Sequence, residues 1–325
     1  MAFPIHRPRR LRKNETIREM VRETRLSPSD FIVPLFAVHG SGTKKPIDVL
    51  PDNYHLSIDM LVDEAKLLRD IGVPAVLIFG IPKGKDLAAA ESFAPDGISQ
   101  LAIEAIKKGV PDMIVIADTC MSMYTPNGFS GIVENGKLLN DPSLEILGKI
   151  ALAQAQAGAD MLAPSAMLDG QIETMRSILD DNGHTDTAIM AYAAKYASCL
   201  YDPFFKQGSG PAVDYTVKKT HQMDIGNSDE AMREIALDVE EGADIIMVKP
   251  GLFYLDIVFR AKQEFDLPLA VYNVSGEYAM MAAAAKLGFL NKKDLIMEAL
   301  LSCKRAGADM IITYCAKDAT AFLRA

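Results

Sequence analysis

Two lysines occupy positions where an amine could act as a nucleophile. Lys249 ends the apolar part of "IIMVKPG" at residues 245–251, and Lys195 ends "AIMAYAAK" at residues 188–195. An apolar environment and a neighbouring cation both disfavour the ammonium form, so each would lower the pKa of such a lysine. The neutral amine that results can attack a ketone and form a Schiff base. The alternative is that each lysine is an ordinary strand-end cation paired with a carboxylate.

Eight short apolar runs predict the strands that would position these lysines. They cover residues 31–38, 75–80, 113–118, 161–166, 188–195, 245–250, 269–275 and 310–315. Nearly continuous apolar runs are typical of parallel strands buried on both faces, and the stretches between them carry helical periodicity. Three times a glycine stop precedes a strand, in "AGADML", "EGADII" and "AGADMI". We therefore predict an α/β fold, a (β/α)8 TIM barrel, in preference to an open doubly wound sheet.

The barrel prediction brings the two lysines together. Active sites of this fold lie at the carboxyl ends of the strands, where Lys195 and Lys249 end the fifth and sixth runs. Adjacent strands are about 4.8 Å apart, so both amines can point into one mouth. Each ammonium would then destabilise the other, which strengthens the Schiff-base interpretation over two separate ion pairs.

Two segments depart from an idealised barrel. Residues 1–28 precede the first strand and predict an N-terminal arm with one short amphipathic helix, packed on a neighbouring subunit; residues 29–325 form the barrel domain. Residues 201–224 form a long insertion rich in glycine, proline and aromatics. Long loops of this kind in compact domains are usually functional lids, so we predict that this segment closes over the site.

Composition narrows the class of protein. A net charge of −9 and a pI near 5.2 argue against a nucleic-acid surface, although "HRPRRLRKN" forms a basic arm. The sequence contains neither a run of 18 apolar residues nor the apolar core of a secretory signal, so we expect a cytoplasmic protein without membrane segments. Four scattered cysteines do not make a disulfide framework in 325 residues, and we expect reduced thiols.

Five phrases in the chain resemble the porphobilinogen synthases, also called 5-aminolevulinate dehydratases. They are "ADTCMSMYTPNGFSGI" (117–132), "APSAMLDG" (163–170), "AYAAKYAS" (191–198), "MVKPG" (247–251) and "YNVSGEY" (272–278), within a likeness that runs from about residue 4 to the end. The resemblance implies an octameric barrel hydro-lyase that condenses two 5-aminolevulinate molecules into porphobilinogen and releases two waters. It implies an imine on Lys249 in the P site and one on Lys195 in the A site.

The resemblance also implies the residues that hold the substrates. Ser275 and Tyr314 match the P-site carboxylate contacts, and Lys218 and Gln222 match the A-site contacts on the lid. A third A-site contact is usually an arginine, and this chain has Phe205 there, whose ring cannot form a bidentate fork; Lys206 follows it. Asp118 is the candidate for moving protons or orienting an amine in the A site. Asp169, with Ser165, is a further candidate near the fourth strand.

Two metal sites of the family map differently onto this chain. Zinc-dependent members use three cysteines in one loop, but here Cys120 is accompanied by Ser122 and Ser130, so we predict no catalytic zinc. Glu234 matches the position where many members bind an activating, allosteric magnesium through waters at a subunit interface. The resemblance thus predicts magnesium as the metal and a homo-octamer as the assembly.

Two other functions remain open on the residues. A class I aldolase would form one imine on Lys249 and use Lys195 only to tune it. A catalytically silent barrel would bind small carboxylates or act as an assembly scaffold, and its lysine pKa values would be unshifted.

Overall fold

The computed structural model describes residues 4–203 and 215–324, and its centre is a closed barrel of eight parallel strands. The strands are β1 Phe31–Val38, β2 Ala75–Ile81, β3 Ile114–Thr119, β4 Met161–Pro164, β5 Ala188–Lys195, β6 Ile245–Lys249, β7 Leu269–Asn273 and β8 Met310–Thr313. Each strand pairs with the next, and the pairs Phe31 with Ile311 and Ile32 with Ile312 join β1 to β8. The prediction of a (β/α)8 barrel is confirmed.

Helices alternate with the strands and cover the barrel. In the described part of the chain they are α1 Glu15–Met20, α2 Ile58–Asp70, α3 Ile98–Gly109, α4 Asn140–Gln156, α5 Gln171–Asp181, α6 Tyr215–Lys218, α7 Asp229–Glu240, α8 Leu255–Glu264, α9 Ser275–Lys286, α10 Lys292–Ala306 and α11 Ala316–Arg324. Short strands at Lys44–Pro46 and Tyr54–Ser57 extend the sheet beside β1, and Ile132–Glu134 pairs with Lys137–Leu139. None of the described helices is both long and apolar enough to cross a membrane.

Helix α2 illustrates how the helices attach to the barrel. Leu61, Ala65 and Leu68 have 0% exposure, and their spacing places them on one helical face. Truncating a buried leucine to alanine costs about 2–5 kcal/mol, so one such stripe is enough to hold the helix on the sheet.

The repeated glycine-alanine-aspartate sequence joins each of three helices to the barrel in one way. Its glycines end the helices in left-handed backbone conformations; they are Gly158 (φ 94°), Gly242 (φ 104°) and Gly307 (φ 125°). Two residues later a carboxylate accepts a hydrogen bond from the backbone of the preceding strand; the pairs are Asp160 with Val115 N (2.7 Å), Asp244 with Ile189 N (2.7 Å) and Asp309 with Leu269 N (2.8 Å). The repeat therefore sets the start of β4, β6 and β8.

The N-terminal segment has little contact with its own barrel. No residue between 4 and 30 is buried, and Ile5 and Met20 are 70% and 78% exposed. Its α1 helix is capped by Asn14, whose side chain accepts from Ile17 N. The exposed residues thus precede β1, and the domain boundary near residue 28 stays a prediction.

Candidate active site

Strand register places the two lysines side by side. Lys195 and Lys249 are direct partners across β5 and β6. An extra residue in β5, between Ala191 and Ala194, forms a β-bulge opposite the shorter step from Ile246 to Val248. Because bulges re-aim the residues that follow them, this irregularity sets the face on which Lys195 emerges. Both amines line one cavity at the carboxyl ends of the strands.

Burial lowers the pKa of both lysines. The pKa of Lys249 falls well below its ordinary value because of desolvation and then the Lys195 charge, while Asp118 opposes the shift. Desolvation also lowers the pKa of Lys195, against the nearby Cys120 and Asp118. Lys195 Nζ donates to the Ser165 carbonyl oxygen, and the nearby carboxylate, Asp118, acts on both amines through its charge. The pair therefore favours neutral amines over strand-end ion pairs.

Three tyrosine rings surround the Lys249 amine. Its Nζ lies 4.5 Å from the ring centroid of Tyr272, 4.9 Å from that of Tyr192 and 5.1 Å from that of Tyr201. Aromatic faces stabilise cations, above all alkylated and weakly hydrated ones. A lysine iminium is such a cation, so the rings can stabilise it while desolvation disfavours the compact ammonium.

The cavity gathers most of the residues predicted from the sequence. Its lining comprises Phe79, Asp118, Ser122, Met123, Ser130, Ser165, Lys195, Tyr201, Lys218, Gln222, Lys249, Tyr272, Val274, Ser275 and Tyr314. Of the predicted substrate-binding residues that the structure describes, Asp169 is not part of this lining. Phe205 and Lys206 lie outside the described residues.

Two hydroxyl groups of the cavity lining belong to Ser275 and Tyr314. Ser275, at the first residue of α9 rather than at the end of a strand, donates to the Leu200 carbonyl oxygen at 3.3 Å. The Tyr314 hydroxyl lies 3.2 Å from that of Tyr272. These hydroxyls can turn toward a bound carboxylate and donate to it without leaving a buried charge unpaired.

Some buried polar atoms of the cavity lining have no hydrogen-bond partner. In the described chain, Asp118 Oδ1 and both amide atoms of Gln222 are buried without hydrogen-bond partners. Burial raises the pKa of Asp118, although the Ser165 hydroxyl and the two lysine charges oppose the shift. Unsatisfied buried polar atoms are rare in proteins and point to a missing ligand or water. These atoms are therefore free to form hydrogen bonds with a ligand in the cavity.

Lys218, in the described part of the segment predicted to be a lid, reaches the cavity. It lies at the end of α6, is 2% exposed and lines the cavity with Gln222. Burial first, and then the Lys195 charge, lower the pKa of Lys218 to about 7. A bound carboxylate would favour its ammonium form, so Lys218 suits recognition of an acid at neutral pH.

Cys120, Ser122 and Ser130 occupy the positions where zinc-dependent members of the resembled family have three cysteines. Cys120 Sγ lies 3.3 Å from Ser122 Oγ, and Ser122 and Ser130 line the cavity. One thiol and two hydroxyls do not fit zinc, which in proteins is held by thiolate, imidazole or carboxylate ligands. We therefore derive no catalytic step through zinc.

Asp169 and Glu234 lie outside the cavity. Asp169 is exposed, its backbone is held by the Asn140 side chain at 3.0 Å, and it borders a separate surface pocket. Its role in substrate binding stays a prediction. Glu234 lies on α7 near Asp238 and Glu241. Burial and then the neighbouring carboxylates raise the pKa of Glu234, and the pKa values of Asp238 and Glu241 are raised in the same way.

Some residues of the site were not predicted. Tyr192, Tyr201, Tyr272, Phe79 and Met123 had not been singled out, and all but Tyr192 line the cavity. The tyrosines had a usable signal, because Tyr192 precedes Lys195 by three residues and Tyr272 lies in a strand-end phrase. Phe79 and Met123 look like ordinary core residues in the sequence.

A closed barrel whose mouth holds two desolvated lysines beside hydroxyls and an unpaired carboxylate is suited to enzymes that act through a lysine amine. The comparisons then give the family. Residues 5–322 match the family model described as "Delta-aminolevulinic acid dehydratase", and the chain belongs to that family.

Relatives of this chain carry the same name. The chain is 53% identical to the delta-aminolevulinic acid dehydratase of Synechococcus elongatus over 325 residues, with 99% of each chain covered. It is 49% identical to that of Bacillus subtilis over 323 residues, again with 99% of each covered. The crystal structure of the Toxoplasma gondii enzyme in complex with its product porphobilinogen matches with a TM-score of 0.93 and 43% identity, covering 97% of this chain and 91% of that one.

Proposed function

We propose that this delta-aminolevulinic acid dehydratase condenses two 5-aminolevulinate molecules into porphobilinogen through imines on Lys249 and Lys195. Membership of the family makes it a lyase of porphyrin biosynthesis. The observation that carries the two-imine mechanism is the register pairing of two lysines, both with lowered pKa values, in one cavity. The single-imine aldolase uses Lys195 as a charge that tunes Lys249 and so does not account for the lowered pKa of Lys195 itself, and the silent barrel predicts unshifted lysines.

The chemistry follows from neutral amines. Each lysine nitrogen attacks a substrate ketone carbon, and the resulting carbinolamine loses water to give an iminium. The iminium draws electrons from the adjacent carbon and makes the ketone carbon electrophilic. Loss of a proton from the carbon next to one iminium gives an enamine, whose carbon attacks the iminium carbon of the other substrate. The amine of the attacked substrate then adds to the iminium carbon of the attacking one and becomes the ring nitrogen, while the amine of the attacking substrate stays free. Both lysine amines leave as the ring loses its remaining protons and becomes aromatic. Two substrates thus yield one porphobilinogen and two waters.

The remaining side chains bind and orient the two substrates. Ser275 and Tyr314 would donate to the P-site carboxylate, while Lys218 and Gln222 would hold the A-site carboxylate. Asp118, with its raised pKa and free Oδ1, is placed to accept or return a proton near both amines. Holding two tethered molecules in one small cavity supplies much of the rate acceleration.

Incubation with 5-aminolevulinate as the sole substrate tests this function. We expect porphobilinogen to form with a stoichiometry of two substrates consumed per product. An aldolase would give no pyrrole under these conditions, and a silent barrel would leave the substrate unchanged. Either result would contradict the proposal.

We further propose a hydrated magnesium ion at Glu234. Asp238, Glu241 and Asp169 lie close enough to Glu234 or to one another to raise carboxylate pKa values, and a cation would relieve that repulsion. Among the described residues, no three His, Cys, Asp or Glu side chains are grouped to hold a metal directly. A magnesium that keeps most of its waters and touches one carboxylate fits this arrangement. Its role would be activation, away from the reacting atoms.

A thermal-shift titration tests the magnesium site. Magnesium should raise the melting temperature of the wild type, since a ligand at 100 times its Kd stabilises by roughly 2.7 kcal/mol. Glu234→Gln should lose this shift, while Glu240→Gln, an exposed glutamate of the same helix, should keep it. An equal shift in both variants would place the ion elsewhere.

We propose that the arm packs on a neighbouring subunit in a homo-octamer. Apolar side chains of the arm, Ile5, Leu11, Met20 and Val21, are 47–78% exposed in the isolated chain. Scattered apolar exposure on an extended segment is explained if a second copy covers it.

All four cysteines are free thiols, which agrees with the predicted cytoplasmic location.

A further inference from the structure

Glu277 is a buried carboxylate outside the lining of the active-site cavity. It lies in the first turn of α9 with 0% exposure. One carboxylate oxygen accepts from Leu252 N at 2.6 Å, and the other accepts from Val274 N at 2.8 Å and Asn273 Nδ2 at 3.1 Å. The backbone of Gly251 also donates to it. Four donors on one carboxylate make a fixed junction.

The junction links the ends of three barrel strands. Gly251 and Leu252 follow Lys249 at the end of β6, while Asn273 ends β7 and leads into Ser275. Asn273 Oδ1 in turn accepts from Thr313 Oγ1 of β8 at 2.9 Å, one residue before Tyr314. The carboxylate therefore bridges the segments that carry the P-site lysine and both P-site hydroxyls.

Close packing leaves these segments little room to shift. A Cβ on Gly251 would lie 2.8 Å from Val271 Cγ1, and one on Gly276 would lie 2.4 Å from the Leu200 carbonyl oxygen. On its other side, the Lys249 carbonyl oxygen accepts from Tyr196 N at 3.0 Å. The β5 side and the Glu277 side thus hold the Lys249 backbone between them.

We infer that Glu277 is a positioning residue that sets the place of the Lys249 amine relative to Ser275, and so controls capture of a substrate ketone by Lys249. This inference rests on the proposed two-imine function. Lys195 lies on β5, outside the junction, so its own chemistry should be insensitive to Glu277.

The junction requires a side chain that only accepts hydrogen bonds, as a carboxylate does. Each donor found on Glu277 is an N–H group, so an amide side chain would turn its own N–H toward one of them. Burial raises the pKa of Glu277 to about 7 against these hydrogen bonds. The titratable groups that face Glu277 are the Cys303 thiol and the Tyr254 phenol. Burial raises the pKa values of both groups, and the Glu277 charge raises them further by a smaller amount.

Lysine-specific trapping tests the inference. Full-length protein is mixed with 5-aminolevulinate and borohydride, and the rates of adduct formation at residues 195 and 249 are measured separately by peptide mass spectrometry. In Glu277→Gln the rate at Lys249 should fall by about 10-fold to 100-fold, since a displacement of about 1 Å can cost roughly 100-fold. The rate at Lys195 should stay close to that of the wild type, and Glu277→Asp, which keeps the charge but reaches less far, should be intermediate.

The control is Glu64→Gln, which alters another buried glutamate, 6% exposed and paired with Lys317 at 2.6 Å. It should lower stability without changing the ratio of the two trapping rates. Glu277 is merely structural if its Gln variant keeps the wild-type ratio or loses both rates together. Should that variant fail to fold, the ratio in Glu277→Asp decides in the same way. A wild type without an adduct at Lys249 would instead refute the proposed function itself.

Discussion

Replacing Lys249 with methionine is expected to lower porphobilinogen formation by on the order of 10⁴-fold or more, the scale seen when a covalent nucleophile is removed. Methionine has a similar length and suits the apolar cage of Tyr192, Tyr201 and Tyr272, so the cavity should keep its shape. Lys195 cannot take over, because in the proposed mechanism it carries the second substrate. Steady-state assays of purified variants, with melting temperatures as a check on folding, measure the loss.

Lys108→Met provides the matched control. Lys108 is an exposed lysine in the last turn of α3 and does not line the cavity, so its loss should leave turnover unchanged. If Lys249→Met turned over substrate as fast as Lys108→Met, no imine at residue 249 would be needed for the reaction.

Replacing Lys195 with methionine should abolish the condensation but leave capture of one substrate on Lys249. The loss of turnover should be on the order of 10³-fold or more, because one of two covalent tethers disappears. The Lys195 charge helps to lower the pKa of Lys249, so removing that charge raises the pKa of Lys249. Less of the Lys249 amine is then neutral at pH 7, and the midpoint of its trapping rate moves to higher pH.

Two assays check this prediction. Borohydride trapping at Lys249 across a pH series should show the upward shift in the Lys195→Met variant. A parallel assay should detect no porphobilinogen. Unchanged condensation with a shifted trapping midpoint would support the single-imine mechanism, in which Lys195 only tunes its neighbour.

The barrel could be predicted because its strands follow a simple physical rule. Strands buried on both faces are apolar almost throughout. The runs "AVLIFG" and "IIMVKP" have this pattern, and they correspond to β2 and β6. The glycine-alanine-aspartate repeat added the helix ends, because a left-handed glycine stops a helix. Strand ends were less well predicted. The seventh run extends to Ser275, yet β7 ends at Asn273 and Ser275 begins a helix.

The site was only partly predictable, because several of its features depend on contacts distant in sequence. Nothing in "AYAAK" announces the bulge in β5, which arises from its pairing with β6. Glu277 looks like an ordinary acidic residue in the first turn of a helix, and only the fold shows it buried against Leu252. Asp169 follows β4 closely enough to suggest a place in the active-site cavity, but its side chain is exposed and its backbone N–H donates to the Asn140 side chain.

Peptide mapping after borohydride reduction of the wild type with isotopically labelled 5-aminolevulinate tests the two-imine mechanism most directly. Reduction converts each carbon–nitrogen double bond into a stable secondary amine and so records which lysines carried substrate. We predict labelled adducts on both Lys195 and Lys249 in the same preparation. Label on neither lysine, or on Lys249 alone under saturating substrate, would contradict the mechanism.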